Sequence, residues 1–560
     1  MFSRLRTRLR RRSPRTAAVT AISAACLPLA AFGAGAVAVP AAAAAPASGQ
    51  AVVRTDRGPV RGLLTADRRD FLGIPYAAPP VGALRWASPV QHARWSAPRD
   101  ATRPGPICAQ LELPPSVAGE AEDCLFLNVT TPRRPAARKL PVIVFLHGGG
   151  FSAGAGTETR ATELASRGQA VVVTINYRLG VFGFLAHPAL DGGAARMRSG
   201  NFGLEDQQHA LRWVRRNAAA FGGDAGNVTL SGQWSGGKGV CVQMTSPSAA
   251  GLFQRAITMS NPCLLHRVPE ADGSYDPTPL GMPRPRAEAE AQGRELAAEL
   301  GCTDARKVAA CLRAKPTKLL LDTAEPLTYN PVHGGGGVLP GDPIKAFREG
   351  RVHRVPLLMG VNRDAYRTSE AFLEVWGFGK LTPEKYVERV HNFVGPERAA
   401  EVLRRYPLDK YEAPSVAWSA LTTDALLVRP MLDTTRALAR VLPVYGYEFA
   451  DRTAPWYSNV DEPSFSTGAY QDAELQYLFA TEFFEGRVLN PAQLKLSRSM
   501  IGYFTRFAAR GNPNAPGLPA WPAANRHPDR AQVLATGHGG IRSADIGRAH
   551  QYDFWRTVDY

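Results

Sequence analysis

Two uninterrupted apolar, β-branched stretches, Val142-Ile143-Val144-Phe145-Leu146 and Ala170-Val171-Val172-Val173-Thr174-Ile175, predict strands buried on both faces. Between Asp206 and Ala220 the spacing changes. Ala210, Leu211, Val214 and Ala218 recur at helical intervals and predict an amphipathic helix. A third pattern, Asn227-Val228-Thr229-Leu230-Ser231, reads as a short strand that breaks at Gly232, and the glycine-rich run through Gly239 opens another helix. Strands and helices alternating in this way predict an α/β fold with a large, mostly parallel central sheet covered by helices on both faces. No repeat or low-complexity segment divides residues 46–560, so one domain is expected there, with long loops at the Pro and Gly clusters near 275–285 and 334–343.

Residues 1–45 follow a different pattern. Arg4, Arg6, Arg8, Arg10, Arg11, Arg12 and Arg15 precede an apolar run from about Ala17 to Val39, and small residues at Ala41–Ala45 offer a cleavage site, which is the layout of a secretory signal. Pro28, Gly33, Gly35 and Pro40 interrupt the run too often for a membrane anchor. Arg-Arg-Arg-Ser-Pro-Arg loosely resembles a twin-arginine signal, and the sequence leaves open whether export is by that route or the general one. Cys26 has Ser23 where a lipid-anchor cysteine needs a branched residue.

The formal charge of +17 includes those seven arginines; beyond them 59 basic face 49 acidic residues, a net +10. With no basic cluster interleaved with aromatics, that excess is a solvated surface rather than a nucleic-acid footprint. In an exported chain Cys108, Cys124, Cys241, Cys263, Cys302 and Cys311 are expected to pair, in one of 15 connectivities that spacing leaves open. No His, Cys, Asp or Glu spacing suggests a metal, and no cofactor is expected.

The turn Gly232-Gln233-Trp234-Ser235-Gly236 carries the candidate chemistry. Strand, sharp turn and helix are the setting of the G-x-S-x-G nucleophile elbow, yet an indole stands at its centre. Gly232 and Gly236 supply the small residues that the strained backbone needs two positions either side of Trp234. Centring the motif on Ser235 puts Gln233 at a small position, which makes Ser235 a poor substitute nucleophile. The run Gly232 to Gly239 also resembles a phosphate loop, with Gly239 replacing the hydroxyl that holds magnesium; that loss and the export signal argue against a nucleotide. Lys238 is expected on a first helical turn facing solvent.

Beyond these elements, the chain carries the segments Phe71-Leu72-Gly73-Ile74-Pro75-Tyr76, Glu122-Asp123-Cys124-Leu125-Phe126-Leu127-Asn128-Val129, His147-Gly148-Gly149-Gly150-Phe151 and Asn176-Tyr177-Arg178-Leu179-Gly180. Gly200-Asn201-Phe202-Gly203-Leu204, Phe221-Gly222-Gly223-Asp224 and Asn512-Pro513-Asn514 follow in order. With these segments the chain strongly resembles the type-B carboxylesterase and cholinesterase family. The resemblance implies an α/β-hydrolase fold, disulfides Cys108–Cys124 and Cys302–Cys311, and ester hydrolysis by a Ser, Glu and His triad. It leaves Cys241 and Cys263 unassigned.

Carried over residue by residue, the triad is absent. Trp234 takes the serine position, Ala365 in Gly360-Val361-Asn362-Arg363-Asp364-Ala365 the glutamate, and Gln471 in Gln471-Asp472-Ala473-Glu474-Leu475 the histidine. Three losses, each between intact flanks, remove the base, its orienter and the acyl acceptor together. The backbone N–H groups of Gly149, Gly150 and Ser235 match the family's oxyanion donors. His147 reads as a structural contact, and Asp364 as structural. Asn128 and Asn227 head glycosylation sequons that read as strand positions. The function expected is a secreted family member without triad-based hydrolysis, binding a small ester-like ligand or a protein partner through the former gorge. The alternative is an active ester hydrolase, or a lyase or cyclase, using Ser235, Asp472 or His333; His209 is the other histidine considered. Oligomeric state is not legible.

Overall fold

The computed structural model describes residues 49–558 apart from 112–117, 120, 135, 193–197, 265–281 and 325–327. The expected export segment and most of the loop near 275–285 lie outside the described residues. In chain order the longer strands are β1 (Gly49–Arg54), β2 (Pro59–Leu64), β3 (Arg68–Pro75), β4 (Phe126–Pro132), β5 (Leu140–Leu146), β6 (Val171–Ile175), β7 (Gly223–Gln233), β8 (Arg255–Met259), β9 (Leu357–Asn362), β10 (Val444–Phe449), β11 (Arg530–Leu534) and β12 (Ile541–Asp545). They lie in the order β1-β2-β3-β4-β6-β5-β7-β8-β9-β10-β11-β12, with Arg99–Asp100 beside β2.

From β6 to β11 every pairing is parallel, while β1 to β4, the β4–β6 pair and the β11–β12 pair are antiparallel. The expected parallel sheet is therefore the centre of a mixed one. Its two apolar runs are β5 and β6, and the alternation of strand side chains divides them between two cores. Val142, Val144 and Leu146 enter one cluster and Ile143 and Phe145 the other. α1 (Phe202–Asn217) and α2 (Ser235–Thr245) cover the first face through Leu211, Val214, Val240 and Met244. α3 (Pro491–Arg510) covers the second through Leu496, Met500, Phe504 and Phe507.

α1 begins four residues earlier than its periodicity predicts and ends at Asn217, before a tighter turn at Ala218–Phe221. Its start is fixed by tertiary contact. The Asn201 side chain bonds Val332 through both its oxygen and its nitrogen (2.8 and 2.7 Å) instead of capping the helix. Asp206, fully buried on α1, is held by the Arg178 guanidinium at 2.7 and 2.8 Å and by the Arg178 N–H at 3.0 Å. A buried pair with its remaining groups bonded is costly to break, because either partner alone is a stranded charge.

Three disulfides are formed: Cys108–Cys124, Cys302–Cys311 and Cys241–Cys263, with Cα separations of 4.9, 5.6 and 5.4 Å. The third joins α2 to the segment after β8. Peptide mapping without reduction is expected to recover these three pairs, and replacing Cys241 and Cys263 by Ala to lower stability by roughly 2–4 kcal/mol in a denaturant titration. A peptide linking Cys241 to any other cysteine contradicts the assignment.

Candidate functional site at the strand ends

The strand order reverses around β5, which lies between β6 and β7, and the crevice at such a switch point is where open α/β sheets bind ligands. Two segments meet there: the loop His147–Phe151 after β5 and the turn after β7. β7 runs through Gln233, one residue beyond the expected break at Gly232, and α2 starts at Ser235. Trp234 alone makes the turn, at φ 47° and ψ −115°, a conformation that side-chain-bearing residues rarely hold. The flanking glycines are obligatory. A Cβ on Gly232 would lie 2.3 Å from the Gly236 carbonyl oxygen, and one on Gly236 2.1 Å from that of Leu146.

The indole of Trp234 is half-buried, and its Cβ stands 3.7 Å from where a Gly148 Cβ would be, so it rises beside the His147–Phe151 loop. Gly149 and Gly150 adopt φ of 92° and 67°. The Gly150 N–H is not open to a ligand: it donates to Ser235 Oγ at 2.8 Å. Ser235 is buried, and its hydroxyl oxygen occupies a donor that the sequence reading assigned to an oxyanion. No local signal reveals this, because the two residues are 85 positions apart.

Two further turns complete the site. Ala365, buried in the turn after β9, accepts at its carbonyl oxygen from the Gln471 N–H (3.3 Å), so positions 365 and 471 are neighbours. Asp364 fastens the same two turns: it accepts from the Ala469 N–H (3.0 Å) and pairs with Arg452 (2.7 Å) and Arg367 (3.2 Å), which hold its carboxyl below the usual range against the effect of burial. Asp472 reaches the elbow. Its carboxylate accepts from the Gln233 side-chain amide and from the Tyr457 hydroxyl (2.6 Å), and its backbone sits at φ 80°.

Burial raises Asp472 to a pKa of about 6, against the lowering effect of those two bonds. Glu474 is raised to about 7, first by burial and then by the neighbouring Asp472 charge, while it accepts from Ser260 Oγ (2.8 Å) and the Asn362 amide (2.5 Å). Two carboxyls that titrate near neutrality thus stand beside the turn. His147 does not supply a base: burial lowers it to about 4, its Nδ1 faces the Gly148 carbonyl (2.9 Å), and its ring stacks on Tyr177 at 4.5 Å.

Lys238 corrects the expectation of a solvent-facing turn. α2 is covered on all sides, from Ser235 to Met244, so Lys238 is buried, and its pKa falls to about 7. His333 is not brought to the elbow. It lies on a two-residue ladder with Pro285, and the charges that act on it are Asp342 and Glu288. His209 sits on α1 with its ring 6.3 Å from that of Tyr76. Asn128 and Asn227 are structural, bonding Thr174 Oγ1 (3.1 Å) and the Ala509 carbonyl (3.2 Å) respectively. Among the described residues no group of three or more His, Cys, Asp or Glu could hold a metal ion, and no helix is long and apolar enough to cross a membrane.

The family model for the carboxylesterase family matches residues 49–555. Carboxylesterase 5A of Felis catus is 33% identical over 479 residues, covering 81% of this chain and 84% of that protein. Para-nitrobenzyl esterase of Bacillus subtilis (strain 168) is 31% identical over 503 residues, covering 86% and 94%. Among solved structures, a carboxylesterase of Geobacillus stearothermophilus superposes with a TM-score of 0.71 at 31% identity, covering 90% of this chain and 99% of that one. A thermophilic PNB esterase gives 0.70 at 28% identity with the same coverage. The fold is that of the α/β-hydrolases, and the chain belongs to the carboxylesterase family.

Proposed function

We propose that this protein is a carboxylesterase-family member, exported as a single domain after loss of residues 1–45, that does not hydrolyse esters through an acyl-serine and instead binds a small ester-like ligand or a protein partner at the strand ends. The observation that carries the reading is the occupancy of the elbow. Trp234 holds the strained position at which an α/β-hydrolase presents its nucleophile, while the adjacent pair Ala365 and Gln471 offers neither a carboxylate nor an imidazole. Ser235 does not replace the nucleophile, because its Oγ lies against the Gly150 N–H. Three disulfides among the described residues agree with an oxidising destination.

The purified protein is expected to leave p-nitrophenyl butyrate unhydrolysed above background and to remain unlabelled by a fluorophosphonate probe. Stoichiometric labelling at Ser235 overturns the reading. A second reading, a lyase or other non-hydrolytic enzyme, is favoured by one feature: Asp472, raised to about 6, lies beside the elbow with a hydrogen-bond network that fixes its orientation. A rate that depends on a group titrating near pH 6 and disappears in Asp472→Asn would establish it.

A further inference from the structure

A cleft of about 420 Å³ opens on the other core face, lined by none of the elbow, oxyanion-loop or Gln471–Asp472 residues. It lies where the short ladder Thr159–Arg160 and Ala480–Thr481 meets the helix Thr162–Ser166 and the start of α3. Its volume falls in the range of small-ligand sites. Arg160, Arg167, Arg487 and Arg498 line it against only two acids, Glu163 and Glu485. Phe479, Phe484 and Leu494 supply an apolar wall between those charges.

Two observations separate this cleft from a plain surface dip. Thr481, nine-tenths buried on the lining, has a hydroxyl oxygen without a hydrogen-bond partner among the described residues, and such a group is costly unless something bonds it. Leu494 on the lining, one helical turn from Arg498, is 45% exposed, and Val488, next in the chain to the lining residue Arg487, is 84% exposed. Apolar surface left in water beside concentrated positive charge suits one ligand chemistry: an anionic head carried on an alkyl chain. Arginine favours a carboxylate because its planar fork can donate to both oxygens in paired hydrogen bonds.

We infer that this cleft binds a single-chain aliphatic carboxylate, with the head among the arginines and the chain along Phe479, Phe484 and Leu494. The cleft also touches the candidate site through one residue. Phe484 stacks on Tyr457 (centroids 5.4 Å, 9° between planes), Arg487 donates to the Tyr457 carbonyl (3.1 Å), and the Tyr457 hydroxyl holds Asp472.

Calorimetric titration of the full chain with octanoate, decanoate and dodecanoate tests the inference. Saturable binding is expected, tightening roughly tenfold or more for each added pair of methylenes as apolar surface is buried. Arg498→Glu and Arg167→Glu, both on exposed positions where folding is preserved, are each expected to weaken dodecanoate binding by about tenfold, and the pair to do so by more. The inference fails if dodecanoate shows no saturable binding, if dodecyltrimethylammonium binds equally well, or if both charge reversals leave the affinity unchanged. Binding confined to vesicles of anionic lipid, with none of the monomeric carboxylate, likewise overturns it in favour of a membrane-docking face.

Discussion

The combined substitution Trp234→Ser, Ala365→Glu and Gln471→His is expected to give measurable p-nitrophenyl ester hydrolysis, and the further change Ser235→Ala to raise it by about 10²–10³-fold. The first three changes act only together. A serine without an imidazole keeps its proton, and an imidazole without a carboxylate is neither oriented nor stabilised when it accepts that proton, so each single change is expected to restore little. The geometry is suited to the repair: Trp234 already holds the strained turn, and residues 365 and 471 are joined by a backbone hydrogen bond. The fourth change follows from the hydroxyl on Gly150. With Ser235 Oγ accepting that N–H at 2.8 Å, the donor is unavailable to a developing oxyanion; alanine frees it and leaves the residue-235 N–H in place. A folded quadruple variant without activity would mean that the crevice itself has diverged, and would strengthen the pure binding role.

Removal of His550 is expected to cost about 3–5 kcal/mol of folding stability. The ring is buried between two carboxylates, with Nδ1 at 2.5 Å from Asp424 and Nε2 at 2.5 Å from Glu448. Tyr406 donates to Asp424 (2.7 Å), and Arg363 lies 3.8 Å from Glu448. Burial alone would discharge the imidazolium, but the Asp424 and Glu448 charges and hydrogen bonds outweigh it and raise its pKa to about 10. A raised histidine contributes its stability fully below its unfolded value near 6.5 and loses it as pH climbs toward 10. Glu448, held below the ordinary carboxylate range despite burial, works in the opposite sense, losing its contribution only in acid. The denaturant midpoint of the parent should therefore fall between pH 7 and 10 more steeply than that of His550→Gln. Parallel pH profiles for the two proteins would show that the histidine is neutral in the fold.

The sequence by itself determined the α/β alternation, the central strands and the turn at Trp234, because these rest on local periodicity and on the spacing of Gly232 and Gly236 about a strand-to-helix turn. It also determined that tryptophan, alanine and glutamine stand at positions 234, 365 and 471, since residue identity needs no coordinates. Tertiary structure decided what depends on residues far apart in the chain. The 85-residue reach of Gly150 to Ser235, the burial of Lys238 on a helix covered on every side, the Cys241–Cys263 pair and the carboxylates around His550 leave no periodic or compositional trace. A strand or helix is legible in one dimension because its side chains repeat every two or 3.6 residues; a site is not, because its partners are brought together by the sheet order, and here β5 between β6 and β7 set which turns would meet.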